Sequence, residues 1–547
     1  MTCAQISGEL LAELKDDIAQ RRIAHGISLL DHCAPVLDNF DASLPNSAPF
    51  LGYLAQWVDI GYRDSDLVKR LLTCYSKESR SRLVLSSYVH LRMAEAMLAM
   101  SEEEAESAIG HLNVVLTLAN DLNDSDLVAI AHYWKARCQR KRGEYDHALR
   151  HAIKGRDLAL QCGQMSMAAV MRVLESWILF QESRSKEAFQ TLAEAQAVLS
   201  QTDDYVTLGN IESTYGRILR REGRYGPAIE HFTRSIELFE KRDPEHRNLA
   251  RTLANMAHVQ RLLAQQFRKK IDSDAAHRRK SGASGLATPQ PYREKMEQLR
   301  QEALENLDQA ARIYERHPNH RGMGTVHLNR GYLYLDEGQL DLAGEQADAA
   351  YICGEQKQDL ILMARARILQ CAVENARVEE GIEERLDARS HAQAALDYAR
   401  DAVEMAKHTQ NRRLLARVHT WQGLTLSNHF FNARDAARES MNQAAGFLEP
   451  GIHDHVWEDF QILKGRVLEG ADMNQTLLAW SHGQVGDKTF QQLEEDFADI
   501  VIPKVWEQEG RKVSRVSKRL SISPKKVRRV LERLGLRAAD ASESEPD

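Results

Sequence analysis

The last part of the chain concentrates side chains that bind phosphate. Between Lys504 and Arg537, twelve residues are Lys or Arg and three are Glu, so this segment has a net charge of +9. The whole chain of 547 residues has a formal net charge of −7. A local basic segment on an acidic protein attracts nucleic-acid phosphates by Coulomb forces and hydrogen bonds. These residue types therefore indicate recognition of a polyanion.

Two short amphipathic helices are predicted to position the basic side chains. Val513, Val516 and Leu520 recur at helical spacing in the first helix. After a break at 521–523, Ser523 suits the N-cap of a second helix and Pro524 suits its first turn. The apolar face of the second helix is predicted to contain Val527, Val530, Leu531 and Leu534. Two helices joined by a three-residue turn, the second of them cationic, form the arrangement with which a helix-turn-helix enters the major groove of DNA.

This segment resembles the C-terminal DNA-binding domain of the Fis family, which many bacterial enhancer-binding activators also carry. The resemblance covers residues 489–537 and includes a long helix that Phe490–Gln508 can supply and the closing Leu534-Gly535-Leu536. Two positions depart from the family pattern. Ser521 stands where the family has a turn glycine, and Val516-Ser517 stands where it has two alanines. The resemblance implies a helical domain that binds duplex DNA.

The same resemblance assigns roles to nine side chains. Five occupy recognition-helix positions, which reach base edges or nearby phosphates: Ser523, Lys525, Lys526, Arg528 and Arg529. Four occupy positions that hold the phosphate backbone: Arg511, Lys512, Arg515 and Lys518. Because one small domain binds weakly, a homodimer on a two-fold DNA site is expected. The alternative for these charges is a solvated basic helical hairpin with no role in DNA binding.

Most of the preceding chain repeats with a period of 40 residues. Alanines mark the period: Ala108, Ala148, Ala188 and Ala228, and then Ala303 and Ala343. The phrases GEYDHAL from Gly143 and GRYGPAI from Gly223 resemble the tetratricopeptide repeat, whose Gly-x-Tyr-x-x-Ala joins the two helices of a hairpin. Glycine permits the tight turn, and alanine lets the helices approach closely. Duplicated long helices that do not stack into a solenoid are the alternative.

The predicted fold is all-α, a tetratricopeptide-like solenoid of helical hairpins followed by a small helix-turn-helix domain. At least eight hairpins are expected between about Arg80 and Glu449. The predicted segments are a helical capping region at 1–80, the solenoid at 81–470, a hinge at 471–488, the Fis-like domain at 489–537 and an acidic disordered tail at 538–547. Gly, Ser and Pro indicate a flexible insertion at 267–295, and the wider alanine spacing before Ala395 indicates a shorter insertion at 377–389.

Polar side chains recur on the first helix of several predicted hairpins. They are Asn210, Arg217, Arg221, Asn255, His258 and Asn329. In tetratricopeptide arrays these helices face a concave groove, so the resemblance implies that the six side chains bind an extended peptide or a helix of a partner protein. The alternative for any one of them is simple solvation.

Motifs for catalysis, cofactors and metals are absent from the sequence. It contains neither a GxxxxGK[ST] phosphate loop nor a GxSxG serine motif. His147 and His151 lie one helical turn apart, but the sequence supplies no third metal ligand. The seven cysteines are scattered, and neither a secretory signal nor an apolar run of roughly 18 residues is present. These features predict a cytoplasmic protein that is not an enzyme and needs no cofactor or metal.

Together these patterns predict a bacterial transcription regulator. The solenoid is expected to sense a peptide or protein partner, and the C-terminal domain is expected to bind duplex DNA. The alternative is a scaffold or chaperone-type interaction protein whose basic tail binds a protein or RNA. Trp506 is the only aromatic residue after Phe497, which disfavours RNA because RNA-binding surfaces commonly expose aromatic rings for base stacking.

Overall fold

The structure is a computed structural model that describes residues 6–122, 124–281, 290–384, 388–431, 433–449, 451–452, 454–469, 476–477, 480 and 483–536. Every regular element in these ranges is helical. The chain divides into two compact units, residues 1–463 and 464–547. None of the helices in the described ranges is both long and apolar enough to cross a lipid bilayer.

Six helices form the N-terminal part of the first unit, as predicted for residues 1–80. They are α1 (Gly8–Gln20), α2 (Ile23–His32), α3 (Ala34–Asp38), α4 (Ser47–Ile60), α5 (Ser65–Thr73) and α6 (Lys77–Ser81). Their large apolar side chains lie inside, with Leu14, Phe50 and Trp57 fully buried. Burial of such side chains stabilises each by about 1.5–3 kcal/mol.

Eight helical hairpins follow in the described residues, in agreement with the repeat period. The first four are α7 (Leu85–Ser101) with α8 (Ala105–Asp121), α9 (Ser125–Arg142) with α10 (Tyr145–Gln161), α11 (Met165–Gln181) with α12 (Ser185–Leu199), and α13 (Tyr205–Arg221) with α14 (Tyr225–Arg242). The last four are α15 (Arg247–Ser281) with α16 (Gln290–Arg316), α17 (His320–Asp336) with α18 (Leu340–Glu355), α19 (Leu360–Glu384) with α20 (Ala388–Lys407), and α21 (Arg412–Leu426) with α22 (Arg434–Phe447). A single helix, α23 (His455–Glu469), comes next.

The repeated glycine and alanine have the structural roles that the sequence predicts. Gly143 ends α9 with a φ of 81°, in the left-handed region that glycine adopts without strain. Five residues later, Ala148 is fully buried. The other periodic alanines are buried in the same way: Ala108, Ala188, Ala228, Ala303, Ala343 and Ala395. In five of these hairpins a residue with a left-handed φ lies five positions before the alanine, at Glu103, Gly143, Ser183, Gly223 and Gly338. The buried alanines of α16 and α20 lie inside longer helices and have no such turn before them.

The described parts of the insertion predicted at 267–295 are helical, whereas the Gly-, Ser- and Pro-rich stretch on which the prediction of flexibility depends is not among the described residues. α15 continues to Ser281 and α16 begins at Gln290, while residues 282–289 lie outside the described residues. Arg268 and Lys269 are exposed on this part of α15. The helix can continue through them because Arg and Lys favour the helical conformation even where no apolar face is buried. The shorter insertion at 377–389 likewise lengthens α19 and α20.

The second unit contains three described helices: α24 (Phe490–Gln508), α25 (Val513–Leu520) and α26 (Pro524–Arg533). The predicted long helix and two short helices are therefore present. Their common core consists of Ala498, Ile502, Val513, Val516, Val527, Val530 and Leu531. Ser521 ends α25 with a φ of 53°, and the Ser523 hydroxyl caps α26 by accepting a hydrogen bond from the Lys526 N–H at 3.2 Å. Half of the predicted hinge at 471–488 and all of the predicted tail at 538–547 lie outside the described residues.

Candidate binding sites

Exposed basic side chains cover α25 and α26 of the second unit. On α26, Lys525, Arg528 and Arg529 are exposed, whereas Val527 and Val530 are buried in the core. Four further predicted residues are exposed on α25 or just before it: Arg511, Lys512, Arg515 and Lys518. Helical spacing thus separates an apolar face from a cationic one. We call these seven side chains the basic surface.

Acidic side chains neutralise part of the surrounding positive charge. Lys526 is half-buried and forms an ion pair with Glu494 at 2.7 Å, so it is less available than its predicted position at a base edge implies. Two similar pairs are Arg533–Asp499 and Arg519–Glu509. Among the described residues, Lys525, Arg528 and Arg529 have no ion-pair or hydrogen-bond partner for their side chains. These three are the recognition-helix cations that remain available to an external anion.

The first unit contains a cavity of about 1720 Å³, which we call the lumen. Its wall includes the first helix of successive hairpins, among them α9, α11, α13, α15, α17, α19 and α21. All six predicted groove residues line it: Asn210, Arg217, Arg221, Asn255, His258 and Asn329. The solenoid therefore brings together polar side chains that lie far apart in the sequence.

Contacts between early and late hairpins close the wall of the lumen. The Gln410 N–H donates to the Gly143 carbonyl at 3.1 Å, and the Gln410 side-chain oxygen accepts from the Asp146 N–H at 2.8 Å. One hairpin further along, the Ser185 hydroxyl donates to Glu449 at 3.2 Å. The contacts of Gln410 with Asp146 and of Ser185 with Glu449 each join residues separated by 264 positions. Such closure limits how far the hairpins can move apart.

The six predicted groove residues differ in how their polar atoms are used. The Asn329 amide donates to the Ala254 carbonyl at 2.9 Å, and Arg221 donates to the Phe180 carbonyl. Both side chains are buried and support the wall itself. By contrast, the Arg217 side chain makes no hydrogen bond or ion pair with any described residue, and its Nε is buried without a partner.

Thirteen further arginines line the lumen that the sequence interpretation did not single out. Five of them are Arg140, Arg220, Arg251, Arg365 and Arg417. A signal for two of them exists in the repeat, because Arg140 and Arg220 are two 40-residue periods apart and lie in the last turn of the first helices of their hairpins. Seventeen Lys or Arg and eleven Asp or Glu line the lumen, so its wall is basic although the whole chain is acidic.

Burial and mutual repulsion affect these guanidinium groups. Burial and the nearby cations lower the pKa of Arg140 to about 9 and that of Arg220 to about 9. The same two causes lower the pKa of Arg365 to about 10. Each of these three groups is still charged at pH 7, and its charge is held at a free-energy cost.

His320 links three segments at the wall of the lumen. Its Nδ1 lies 2.6 Å from a Glu103 carboxylate oxygen, and its Nε2 lies 3.1 Å from an Asp359 oxygen. Both ring nitrogens must donate to make these two bonds, which requires the protonated imidazolium. Burial opposes protonation, but the hydrogen bonds to Asp359 and Glu103 outweigh it and raise the pKa of His320. The link is therefore strongest when His320 is charged.

The His320 link is expected to make the first unit less stable as the pH rises. A histidine with a raised pKa contributes all of its stabilisation below its ordinary value of about 6.5 and loses it as the pH passes through the raised pKa. His320→Gln should cost about 1–3 kcal/mol at pH 6 and progressively less at higher pH. The measurement is thermal unfolding of both proteins from pH 6 to pH 9. His408→Gln, at an exposed site, is the control; a difference that grows with pH would contradict the assignment.

Comparison with known proteins supports the interpretation of the hairpins. Residues 207–269, which span α13, α14 and part of α15, match the family model of the tetratricopeptide repeat. A solved structure of a Rap protein complexed with competence and sporulation factor is 14% identical, and the match covers 73% of this chain and 98% of that one with a TM-score of 0.50. The fold is a tetratricopeptide-like α-solenoid. At this identity the likeness concerns the fold alone.

Two further solved structures are similar at lower TM-scores. The apo form of the quorum sensor NprR from B. thuringiensis is 12% identical, and the match covers 71% of this chain and 97% of that one with a TM-score of 0.47. The human IFIT1 dimer with m7Gppp-AAAA is 13% identical, and the match covers 83% of this chain and 90% of that one with a TM-score of 0.41. No curated protein sequence matches the chain.

Proposed function

We propose that the protein is a bacterial, cytoplasmic transcription regulator that acts by binding and not by catalysis. The solenoid binds a peptide or protein partner in its lumen. The second unit binds duplex DNA as a helix-turn-helix of the type that closes the Fis family, and a homodimer places two such units on a two-fold site. Partner binding and DNA binding thus belong to different compact units of one chain.

The observation that carries the DNA-binding part is the geometry of α25 and α26. Three residues join the two helices, the N-terminus of α26 is capped by Ser523, and its three available cations are on the side away from the core. A capped helix with Lys525, Arg528 and Arg529 exposed fits the major groove, where arginine can donate two hydrogen bonds to guanine. The basic surface on α25 is suited to the adjacent phosphates.

Arg529→Ala is expected to weaken binding to a selected DNA site by about 1–3 kcal/mol and binding to random DNA by less, because a base contact is sequence-specific. Lys518→Ala should weaken both alike and make the salt dependence of log K shallower by about one unit, because a phosphate contact releases a counterion. The site is first selected from genomic fragments with the full-length protein, and affinities are then measured by fluorescence anisotropy at several salt concentrations.

Lys488→Ala is the matched control, because Lys488 lies in the same unit and is paired with Asp496 at 2.5 Å. It should leave DNA affinity unchanged. If the full-length protein fails to bind duplex DNA, or if all three variants lose affinity equally, the helix-turn-helix assignment is wrong. The basic surface would then belong to an interaction scaffold whose C-terminal region contacts a protein or RNA.

A further inference from the structure

The lumen contains arginines of two kinds, and the difference between them identifies a ligand chemistry. Some arginines have carboxylate partners within the wall, for example Arg137 with Asp59 at 2.6 Å and Arg21 with Asp204 at 2.6 Å. Eight others lack any carboxylate within ion-pair distance among the described residues. Two of the eight are Arg63, which is exposed, and Arg247, the first residue of α15. We call the other six the arginine cluster: Arg140, Arg217, Arg220, Arg251, Arg365 and Arg417.

Neutral groups are the only partners of the arginine cluster. Arg251 donates to the Asn210 side chain at 2.6 Å, Arg220 donates to Asn255 at 3.2 Å, and Arg417 donates to the Tyr332 hydroxyl at 2.5 Å. The other three have no hydrogen-bond acceptor for their side chains among the described residues: Arg140, Arg217 and Arg365. All six side chains are half-buried. Partly desolvated cations that lack a counter-charge destabilise a fold, so selection for stability alone does not explain six of them in one cavity.

Aromatic stacking orients two members of the cluster and leaves their donors open. The guanidinium carbon of Arg140 lies 4.4 Å from the ring centroid of Trp177, and that of Arg217 lies 5.2 Å from the same ring. A guanidinium that stacks on an aromatic ring uses its planar face for this contact. Its N–H groups lie in the guanidinium plane and can still donate hydrogen bonds. The Nε atoms of both arginines are buried without a hydrogen-bond partner. Trp177 therefore presents two pre-oriented guanidinium groups.

We propose that the arginine cluster binds the carboxylates of an acidic peptide that also carries apolar side chains. Each guanidinium is a planar donor that matches a carboxylate, and the cluster extends over five helices, from α9 to α21. The lumen is larger than the roughly 300–1,000 Å³ of small-molecule sites. Apolar side chains such as Val173, Leu174 and Phe180 line it between the cations. This inference rests on the proposed function and names the chemistry of the partner in the lumen.

The electrostatics of the cluster agree with this assignment. Burial and the nearby Arg220, Arg251 and Arg140 lower the pKa of Arg217 well below its ordinary value. Burial and Arg137 likewise lower the pKa of Arg251. A carboxylate placed among these groups would remove part of the repulsion, so binding of an acidic ligand would relieve a cost that the ligand-free protein bears.

The test compares two synthetic hexapeptides, one of alternating Glu and Leu and one of alternating Gln and Leu, on the full-length protein by isothermal titration calorimetry. The acidic peptide is expected to bind, and the Gln peptide is expected to bind at least about tenfold more weakly. Arg217→Gln should weaken the acidic peptide by about 10-fold to 100-fold. The same substitution should raise the unfolding midpoint of the ligand-free protein by about 2 °C, because it removes an unpaired, half-buried charge. A merely structural arginine would lower that midpoint.

Two controls separate the lumen from other basic sites. Arg184→Gln removes an arginine outside the lumen that is paired with Glu187 at 2.7 Å, and it should leave peptide affinity unchanged. The double variant Arg528→Ala with Arg529→Ala should also retain acidic-peptide binding, which excludes the basic surface of the second unit as the site. Inorganic tripolyphosphate distinguishes a carboxylate ligand from a phosphate ligand and should compete only weakly.

Three results would overturn the proposal. They are failure of the acidic peptide to bind, equal binding of the Gln peptide, and tighter binding of tripolyphosphate than of the acidic peptide in an Arg217-dependent manner. Equal binding of the Gln peptide would leave the proposed function intact, since the lumen would still hold a peptide. DNA binding is measured on the same preparation and is independent of all three results.

Discussion

Phe232→Ala is expected to cost the solenoid about 3–5 kcal/mol of unfolding free energy. The Phe232 ring is fully buried between α13 and α14. It occupies the space left by the missing side chain of Gly216, where an added Cβ would lie 2.8 Å from the ring. Alanine would leave a cavity that the closely packed hairpin cannot fill. Because each hairpin packs on its neighbours, the loss should spread along the array.

Phe189→Ala is the matched control for this substitution. Phe189 lies on the second helix of the preceding hairpin, is 46% exposed, and contacts Tyr215 with ring centroids 4.9 Å apart. Its removal should cost about 0.5–1.5 kcal/mol, the value of an aromatic contact beyond burial. Urea unfolding followed by far-ultraviolet circular dichroism gives both numbers. Equal losses from the two variants would mean that Phe232 does not support the hairpin contact described above.

The hairpins could be predicted from the sequence because their determinants are local. Gly143 and Ala148 lie only five residues apart. The tight turn requires the glycine, and the close contact between the two helices requires the alanine. The pattern becomes weaker at the end of the array. After Ala395, the next alanine that fits the period, although loosely, is Ala436. Ala436 is exposed, whereas its neighbour Ala437 is buried in α22. The buried position of α22 is therefore offset by one residue from the alanine period. The alanine spacing alone does not predict this offset.

The closure of the lumen could not be predicted from the sequence, because its contacts join distant segments. Gln410 and Asp146 are 264 residues apart; Gln410 belongs to no motif, and Asp146 stands at a variable position of the Gly-x-Tyr-x-x-Ala phrase. His320 meets Glu103 across 217 residues in the same way. Only the superhelical path of the stacked hairpins brings such residues together. The polarity of the inner wall was predictable in part, since Arg217 was expected in the groove, but the absence of a carboxylate near it is a property of the assembled wall.

The helical extension of α15 was missed for a different physical reason. Amphipathic periodicity reports burial, and the exposed Arg268 and Lys269 lie beyond the part of the helix that is fully packed. A charged stretch without an apolar face therefore looked like a linker. In the second unit the opposite holds: the apolar faces of α25 and α26 are short but complete, so Val516 and Val527 were correctly predicted to be in the core.

Val527→Asp is expected to unfold the helices of the second unit and to abolish duplex-DNA binding. The Val527 side chain is fully buried in the small core that α24, α25 and α26 share. An ionised carboxylate without a partner at such a site costs several kcal/mol, and a core of this size supplies roughly 3–5 kcal/mol of stability. The thermal unfolding of the solenoid should not change, because residues 1–463 form a separate compact unit.

Arg528→Asp, at the neighbouring exposed position, separates folding from charge in this experiment. It introduces the same side chain outside the core, so the second unit should stay folded while DNA affinity falls through the reversed charge. Two-dimensional NMR spectra of the full-length variants report whether the second unit is folded, and fluorescence anisotropy reports the affinity. If Val527→Asp unfolds the helices but binds DNA as tightly as the native protein, the positive charge alone would account for binding. If DNA is bound by a folded recognition helix, both variants should lose DNA affinity, and only Val527→Asp should unfold the second unit.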